Sequence, residues 1–361
     1  MILSVYFFRQ FIPSFFFGSV LFMFVLMLDK LFDIVDLLFN KGVNPLIVGK
    51  LFLMFIPTIL PLTFPMALLL ACLVTFGRLS EENELNAVRA AGISLFKALW
   101  LPLFFALFLS FIMIPFNSYL APRSNQGFRL IYEKIISADP LINIEAKRFF
   151  NIKNIKLYAE RVDKTINKLE DVFVYQTSGA GAPAERIYAR SGKIETDGKT
   201  FRLELNNGQW QRYDADMPAR LMHITFKKYD LSIPLNAEET SKNTRFRSLL
   251  NKELRKLKKD LKSKGLPTGP IEAEQQLRLA IAFAPFCLVL IGVPIATVLK
   301  RGGKSFSFGI SVVIIFTYYL LLILGLTMAE KERLPAILSV WIANITCLII
   351  GGFLSFRLFK K

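Results

Sequence analysis

The sequence predicts an α+β membrane protein, with six transmembrane helices in a 3+3 arrangement and a β-rich domain inserted between the triplets. Three observations predict it. Gln10–Leu28, Leu51–Gly77, Ala98–Pro122, Leu279–Leu299, Ser305–Ala329 and Ala336–Phe356 contain no Asp, Glu, Lys or Arg. Each provides roughly the 20 apolar residues a helix needs to cross about 30 Å of hydrocarbon. The polar residues gather between the third and fourth stretches, where the hydrophobic period falls to two. The composition, 53% hydrophobic with mean hydropathy +0.43 over 361 residues, suits an integral membrane protein with one extramembrane domain.

The first triplet falls in residues 1–122, the insert in 123–278 and the second triplet in 279–361. The first apolar run exceeds a signal core and lacks a small-residue cleavage site, so it is expected to stay as a helix. Cys72, Cys287 and Cys347 all lie inside apolar runs, which argues against a disulfide framework or a cysteine metal site. Short-loop cations set orientation. Arg9, Arg78, Arg89, Lys97, Lys300, Arg301, Lys304, Arg357, Lys360 and Lys361 lie on one side and outnumber Lys30, Lys41, Lys50, Lys331 and Arg333 on the other. Both termini are therefore expected in the cytoplasm and the insert outside, in the periplasm of a two-membrane bacterium. The net charge of +17 is concentrated largely in the insert, notably Arg245–Lys264 beside a span. A basic surface there meets anionic lipid heads, and no nucleic-acid-binding module is present.

Within the insert, Arg123–Ala138 reads as a helix continuing the third span. From about 144 to 234 the pattern is β. Lys156–Val162, Asp171–Gln176, Arg186–Glu195, Phe201–Leu205 and Arg220–Phe226 read as strands, separated by turn signals at Ser178-Gly179-Ala180-Gly181, Asp197-Gly198 and Asn206-Asn207-Gly208. Phe201, Leu203 and Leu205 share one face, Arg202 and Glu204 the other. This is the pattern of an antiparallel β-sandwich or jelly-roll with an apolar inner face. That face can close as a core, the commoner outcome, or stay open as a trough for acyl chains. At about 248–264, Leu250, Leu254, Leu257 and Leu261 recur at helical spacing among many cations. This basic helix reads either as a strut or as a surface near lipid phosphates, and Leu266-Pro267-Thr268-Gly269-Pro270 ends it.

Enzymatic signatures are missing. His223 is the one histidine and falls in a β segment, where a structural role outweighs a catalytic one. No HExxH or GxSxG occurs. Gly303-Lys304-Ser305 resembles the tail of a phosphate loop, but Val298 stands where the first glycine of that motif belongs. Nucleotide binding by that route is excluded, and any ATP hydrolysis must come from another subunit. The span cores hold no ionisable residues, which argues against an ion-coupled transporter.

Two short segments stand out. After Gly77, Leu79, Leu85, Val88 and Ala91 form an apolar stripe, with Glu81, Glu82 and Glu84 early in the segment. Ser80 is placed to cap and Gly92 to stop a helix over 79–92. Such an amphipathic helix either docks in a partner's cleft or caps the bundle. At the far end of the first span, Asp29, Lys30, Asp33 and Asp36 alternate with apolar pairs, so the helix continues past the hydrocarbon. Lys30 then lies at head-group level, where it snorkels or holds a lipid phosphate. Pro57, Pro61 and Pro65 share one face of the second span and can bend it.

Three stretches carry a family resemblance: FPMALLLACLVTFGRLSEENELNAVRAAGIS from Phe64 to Ser94, EAEQQLRLAIAFAPFCLVLIGVPIATVLKRGGKS from Glu272 to Ser305, and YYLLLILG at Tyr318–Gly325 followed by Leu334-Pro335 and Trp341–Asn344. The chain resembles, over almost its whole length, the lipopolysaccharide-export permeases of the LptF/LptG (YjgP/YjgQ) type. The resemblance implies six transmembrane helices plus a periplasmic β-jelly-roll. It implies a bacterial inner-membrane subunit that extracts lipopolysaccharide from the outer leaflet and passes it on through its jelly-roll. The implied partners are a cytoplasmic ABC ATPase dimer, a related second permease and a periplasmic jelly-roll bridge protein. The chain itself would be neither an enzyme nor a holder of a cofactor, since ATP acts on the ATPase. By the same resemblance the helix after span two is the coupling helix. Glu84 matches its acidic position, and Leu85, Val88 and Arg89 lie beside it. Lys30 matches the basic position that approaches the lipid phosphates. Spans one and five match the lateral gates. Where the family often has His or paired Arg before span four, this chain has only Arg278. A second function class also fits the layout: a non-transporting signal transmitter that couples a periplasmic sensor to a cytoplasmic partner.

Overall fold

The computed structural model describes residues 2–39, 43–138, 147, 149–152, 155–163, 168–176, 185–196, 200–213, 221–234, 246–298 and 303–360. They form two compact units. One joins Met1–Phe128 to Asn243–Lys361, and the other is Arg129–Lys242. The turn signals at 178–181 and 197–198 lie outside the described residues.

The first unit is helical. Helix α1 is Ile2–Phe39, α2 Pro45–Glu81, α3 Glu84–Ala90 and α4 Leu95–Pro115; a π-helical turn at Phe116–Leu120 leads into α5, Ala121–Ala138. After the β unit come α6 Asn251–Ser263, α7 Gly269–Val298, α8 Gly303–Glu330 and α9 Ala336–Lys360. Among the described residues six helical segments are long and apolar enough to cross a bilayer: Ile2–Leu28, Pro45–Glu81, Leu99–Tyr132, Gly269–Val298, Ser305–Glu330 and Ala336–Leu358. The helices outrun the charge-free stretches because a helix keeps its own backbone bonded beyond the hydrocarbon edge.

The spans are not equivalent. Of the most apolar stretches, 72% of that in α2 and 67% of that in α7 is buried, against 22% to 33% in the others. These two helices are therefore the centre, and the other four pack around them with one face outward. Pro57, Pro61 and Pro65 lie within α2, which remains helical throughout. Several polar residues in the spans bond locally or across helices: Thr63 Oγ1 donates to Ile59 O, Tyr318 OH to Asn344 Oδ1 at 2.8 Å, and Asn344 Nδ2 to Ala280 O at 2.9 Å. Such bonds matter where water offers no alternative partner.

The ends follow cap chemistry. Asn44 accepts from the Leu46 N–H, with Pro45 first in α2. At the end of α6, Gly265 is left-handed (φ 66°), Leu266 N–H reaches Leu261 O and Gly265 N–H reaches Lys262 O. The stop is therefore Gly265, just before the Leu266–Pro270 segment. Leu254 is the fully buried member of that helix's leucine stripe, and α6 belongs to the helical unit.

The second unit carries one six-stranded antiparallel sheet in sequence order: β1 Phe149–Ile152, β2 Ile155–Asp163, β3 Lys168–Gln176, β4 Glu185–Thr196, β5 Thr200–Tyr213 and β6 Leu221–Pro234. Its inner face is the apolar cluster around Leu157, Leu169, Val172, Val174, Ile187, Leu203 and Leu205. Leu203 and Leu205 point inward while Arg202 is exposed, as the alternation required. Asn206-Asn207-Gly208, expected as a turn, instead lies inside β5. The pairing lapses at one level across the sheet, at Glu160, Asp171, Arg190, Asn207 and Lys227, with the register unchanged on either side. Asp171 (φ 50°) and Asn207 (φ 53°) take the left-handed conformation that Asn and Asp tolerate. Along β3, β4 and β5 the buried positions step by three across this line: Leu169 to Val172, Ala189 to Gly192, Leu205 to Gly208. The sheet is thus creased, and both halves still present their apolar side inward. Gly208 is required here, since a Cβ would lie 2.2 Å from Tyr188 O.

The packing of α8 on α9 gives a direct test. A Cβ on Gly325 would lie 2.0 Å from Ser339 O, whereas Gly309 in the same helix has nothing within 4 Å. Gly325→Ala is expected to cost about 1–3 kcal/mol through overpacking. That lowers the thermal unfolding midpoint of the detergent-solubilised chain. Gly309→Ala should leave the midpoint unchanged or raise it, because Ala favours a helix over Gly.

Candidate functional site

Two regions of the helical unit gather the residues of interest, and they lie at opposite ends of it. The first is α3. Helix α2 does not stop at Ser80, which was expected to cap a new helix. It continues to Glu81, and Ser80 is buried with its Oγ donating to Thr297 O at 3.2 Å. The chain breaks at Asn83 (φ 57°), and α3 ends at Gly92 (φ 74°), where Ile93 N–H reaches Val88 O and Gly92 N–H reaches Arg89 O. The seven residues of α3 and its C-cap Ala91 are thus bracketed by two left-handed positions.

The sides of α3 are distinct. Leu85 and Val88 are buried in the main core with Leu79, Leu95 and Leu99. Ala91, assigned to the same stripe, is exposed. The outward surface is Asn86, Ala87, Arg89 and Ala90, with Glu84 half-buried at the edge. Glu84 Oε1 lies 3.4 Å from Tyr6 OH, a long contact that ties α3 to the start of α1. Leu85 and Val88 therefore anchor the helix, and Glu84 and Arg89 are the charged groups left at its surface.

Lys30 is far from this cluster. It follows Tyr6 along α1 by roughly 36 Å of helix rise at 1.5 Å per residue. It is half-buried. The side chains of Asp29, Asp33 and Asp36 lie outside the described residues.

The second region is built on Arg278, near the start of α7. Its guanidinium is 6% exposed. Nε donates to Glu274 Oε1 at 2.9 Å, Nη1 to Asn251 Oδ1 at 2.9 Å, and Nη2 to the carbonyls of Phe246 (3.1 Å), Arg247 (3.3 Å) and Leu249 (2.8 Å). One buried cation thus gathers the chain returning from the β unit onto α7. A planar five-donor group suits this convergence, and a lysine does not. Lys258 pairs with Glu272 at 3.0 Å and adds a second tie between α6 and α7. Asn117, in the π-helical turn, donates to Arg278 O at 3.1 Å, while its own Oδ1 is buried without a partner among the described residues. A cavity of about 370 Å³ lies beside these groups, bounded by Thr58, Asn117, Glu274, Arg278, Tyr319 and Ile323. It is predominantly apolar with a few converging polar groups, the usual character of a ligand or lipid site. The sequence signals for this region were an isolated arginine and asparagine against apolar runs. Periodicity could not show that they meet.

Among the described residues the β unit offers no comparable constellation. His223 is exposed, with Nε2 3.1 Å from Gln209 Oε1. Tyr158 OH donates to Glu160 Oε2 at 2.7 Å; this bond raises the tyrosine above its ordinary range and, with Lys147 nearby, lowers the carboxyl. Tyr188 is raised in the same way by donating to Asp171 at 2.9 Å. Both pairs lie at the crease and brace it.

The model of the family described as "Lipopolysaccharide export system permease LptF/LptG" matches residues 5–357. The chain is 22% identical over 307 residues to the lipopolysaccharide export system permease protein LptF of Escherichia coli K12, covering 82% of this chain and 78% of that one. The match to LptF of Shigella flexneri has the same extent and identity. An uncharacterized protein of Rickettsia prowazekii is 26% identical over 208 residues, and the alignment spans 57% of each chain.

Arg278 supplies this region's test. Arg278→Gln leaves Glu274 buried without its cation and three carbonyls unpaired, a loss of about 3–5 kcal/mol by comparison with other broken buried pairs. The thermal unfolding midpoint should fall accordingly. The double variant Arg278→Gln/Glu274→Gln should recover part of the loss, because it removes the orphaned carboxylate.

Proposed function

Because the chain belongs to the lipopolysaccharide export system permease LptF/LptG family, a group of multi-pass membrane transport subunits, we propose that it is the permease half of an ATP-driven lipid extractor. In this reading it takes lipopolysaccharide from the outer leaflet of the inner membrane and passes the acyl chains to its own β unit, which faces the periplasm. A periplasmic jelly-roll bridge protein accepts them next. Two copies of a cytoplasmic ABC ATPase and a second, related permease complete the assembly.

The observation that supports this best is the extent of the family match, which covers the helical unit and the β unit together. Physical chemistry points the same way. Lifting an acyl chain out of a bilayer costs about 0.8 kcal/mol per CH₂. A transporter of such a substrate needs an external energy source and an apolar receiving surface. The creased sheet, with its apolar inner face, is the candidate receiver.

The coupling contact falls on α3. Leu85 and Val88 hold the helix in the core, so a force on its outer face moves α2 with it. Glu84 and Arg89 are the groups we assign to the ATPase contact; Leu85 and Val88 position them. Lys30 we assign to the phosphorylated head of the lipid, as an interfacial point charge.

Depletion of the protein should leave lipopolysaccharide in the inner membrane; normal surface delivery without a redundant copy would reject the reading. Glu84→Lys is expected to reverse the local charge and lower the yield of ATPase co-purified with the chain. Unchanged assembly and growth would remove Glu84 from the coupling contact. Photocrosslinking to lipopolysaccharide should fall in Lys30→Ala and further in Lys30→Asp, with assembly intact. Equal crosslinking in all three proteins would assign Lys30 to snorkelling alone.

A further inference from the structure

One cavity of the helical unit is not used by the reading above. It has about 1060 Å³ of space and lies between the first half of α1, the last half of α2 and the start of α8. Two of its walls follow one pattern. On α1, Arg9, Pro13 and Phe17 succeed each other at four-residue intervals; on α2, running the other way, so do Arg78, Val74 and Leu70. Residues four apart share a helix face. Each wall therefore carries a cation at the end of the span and apolar groups deeper in.

The two arginines are not consumed by the fold. Arg9 is exposed and makes no hydrogen bond or ion pair among the described residues. Arg78 donates through Nη2 to Gln10 Oε1, and its Nε is buried with no hydrogen bond among the described residues. The only carboxylate beside Nε among the described residues is that of Glu82, at 3.8 Å, and both side chains are about half exposed. Pairs of that kind contribute little. The cavity thus has charged donors at its mouth and a greasy interior.

We propose that this cavity binds an anionic glycerophospholipid of the leaflet at the N-terminal end of α1, which the distribution of loop cations makes the cytoplasmic leaflet. The phosphodiester lies between Arg9 and Arg78, where guanidinium groups accept an oxyanion through paired N–H bonds. An acyl chain runs inward along Phe17, Val74 and Leu70. A free phosphate explains the arginines but not the apolar walls aligned behind them. The site adjoins α3, because Tyr6 both lines the cavity and approaches Glu84. An occupied site would brace the first helix against α3. The proposal does not depend on lipopolysaccharide as cargo.

The test is native mass spectrometry of the full-length chain released from detergent, with phosphatidylglycerol, phosphatidylcholine or inorganic phosphate added. The wild-type chain should retain a phosphatidylglycerol molecule about tenfold more strongly than phosphatidylcholine, the scale of one charge-assisted contact. Arg9→Gln should lose that preference, and Arg9→Lys should keep part of it. Arg9 makes no bond among the described residues, so the unfolding midpoint is expected to stay in place; Arg78→Gln is the second variant, read against its own midpoint. Undiminished phosphatidylglycerol in Arg9→Gln, or equal retention of phosphatidylcholine, would overturn the proposal. So would displacement by inorganic phosphate alone, which makes the site one for a soluble anion. Exclusion of phosphatidylglycerol when a second permease is co-expressed would make this face a subunit interface instead. Any of these results leaves the export reading standing, since that reading is judged by lipopolysaccharide delivery.

Discussion

The close packing of α2 against α7 is the constraint on which the helical unit depends. Between lipid-bathed helices there is little hydrophobic drive, so association rests on fit and on bonds between backbones and polar side chains. Gly292 shows the fit: a Cβ there would come within 2.9 Å of Leu69 and 3.1 Å of Cys72. Both helices contain prolines, at Pro57, Pro61 and Pro65 in α2 and at Pro285 and Pro294 in α7, and both remain helical. Helices interrupted in this way survive in a bilayer where neighbours re-satisfy the backbone. Burial of these two among the rest provides those neighbours.

The pair also joins the two candidate regions. At one end, α3 grows directly out of α2 and is pinned by Leu85 and Val88, and Ser80 bonds to the carbonyl of Thr297 on α7. At the other end, α7 presents Arg278 to the turn through which the chain returns from the β unit. A displacement imposed on α3 therefore has a continuous packed route to that turn. The side chains on the route sit in a dense core, and such cores shift as blocks more readily than they deform. A stiff central pair is thus a simple means of carrying a displacement from one end of the helical unit to the other.

Much of this was legible in the sequence. Charge-free runs of the right length gave the six spans, because the cost of burying charge in hydrocarbon leaves few alternatives. Alternation gave the inward set Leu203 and Leu205. Three features were not legible, each for a physical reason. Asn206-Asn207-Gly208 has turn chemistry, yet the same left-handed tolerance serves a crease within a strand. Ser80 has the right type and spacing for a cap, but α2 continued through it, since tertiary packing of Leu79 and Ser80 outweighs a single cap bond. The role of Arg278 depends on carbonyls some 30 residues away in the chain, and no local pattern encodes such a meeting.

Helix α1 brings the charged features into one frame. Arg9 and Lys30 are separated by 21 residues, about 31 Å of helix rise, which matches the hydrocarbon thickness of about 30 Å. Placing one cation at a head-group level therefore places the other at the opposite level. The charge-free segment Gln10–Leu28 lies between them. A helix with a cation at each interface resists sliding along the membrane normal, because either movement drags a charge into hydrocarbon. It remains free to rotate or tilt. That freedom goes with a helix of which only 22% of the most apolar stretch is buried in its own chain.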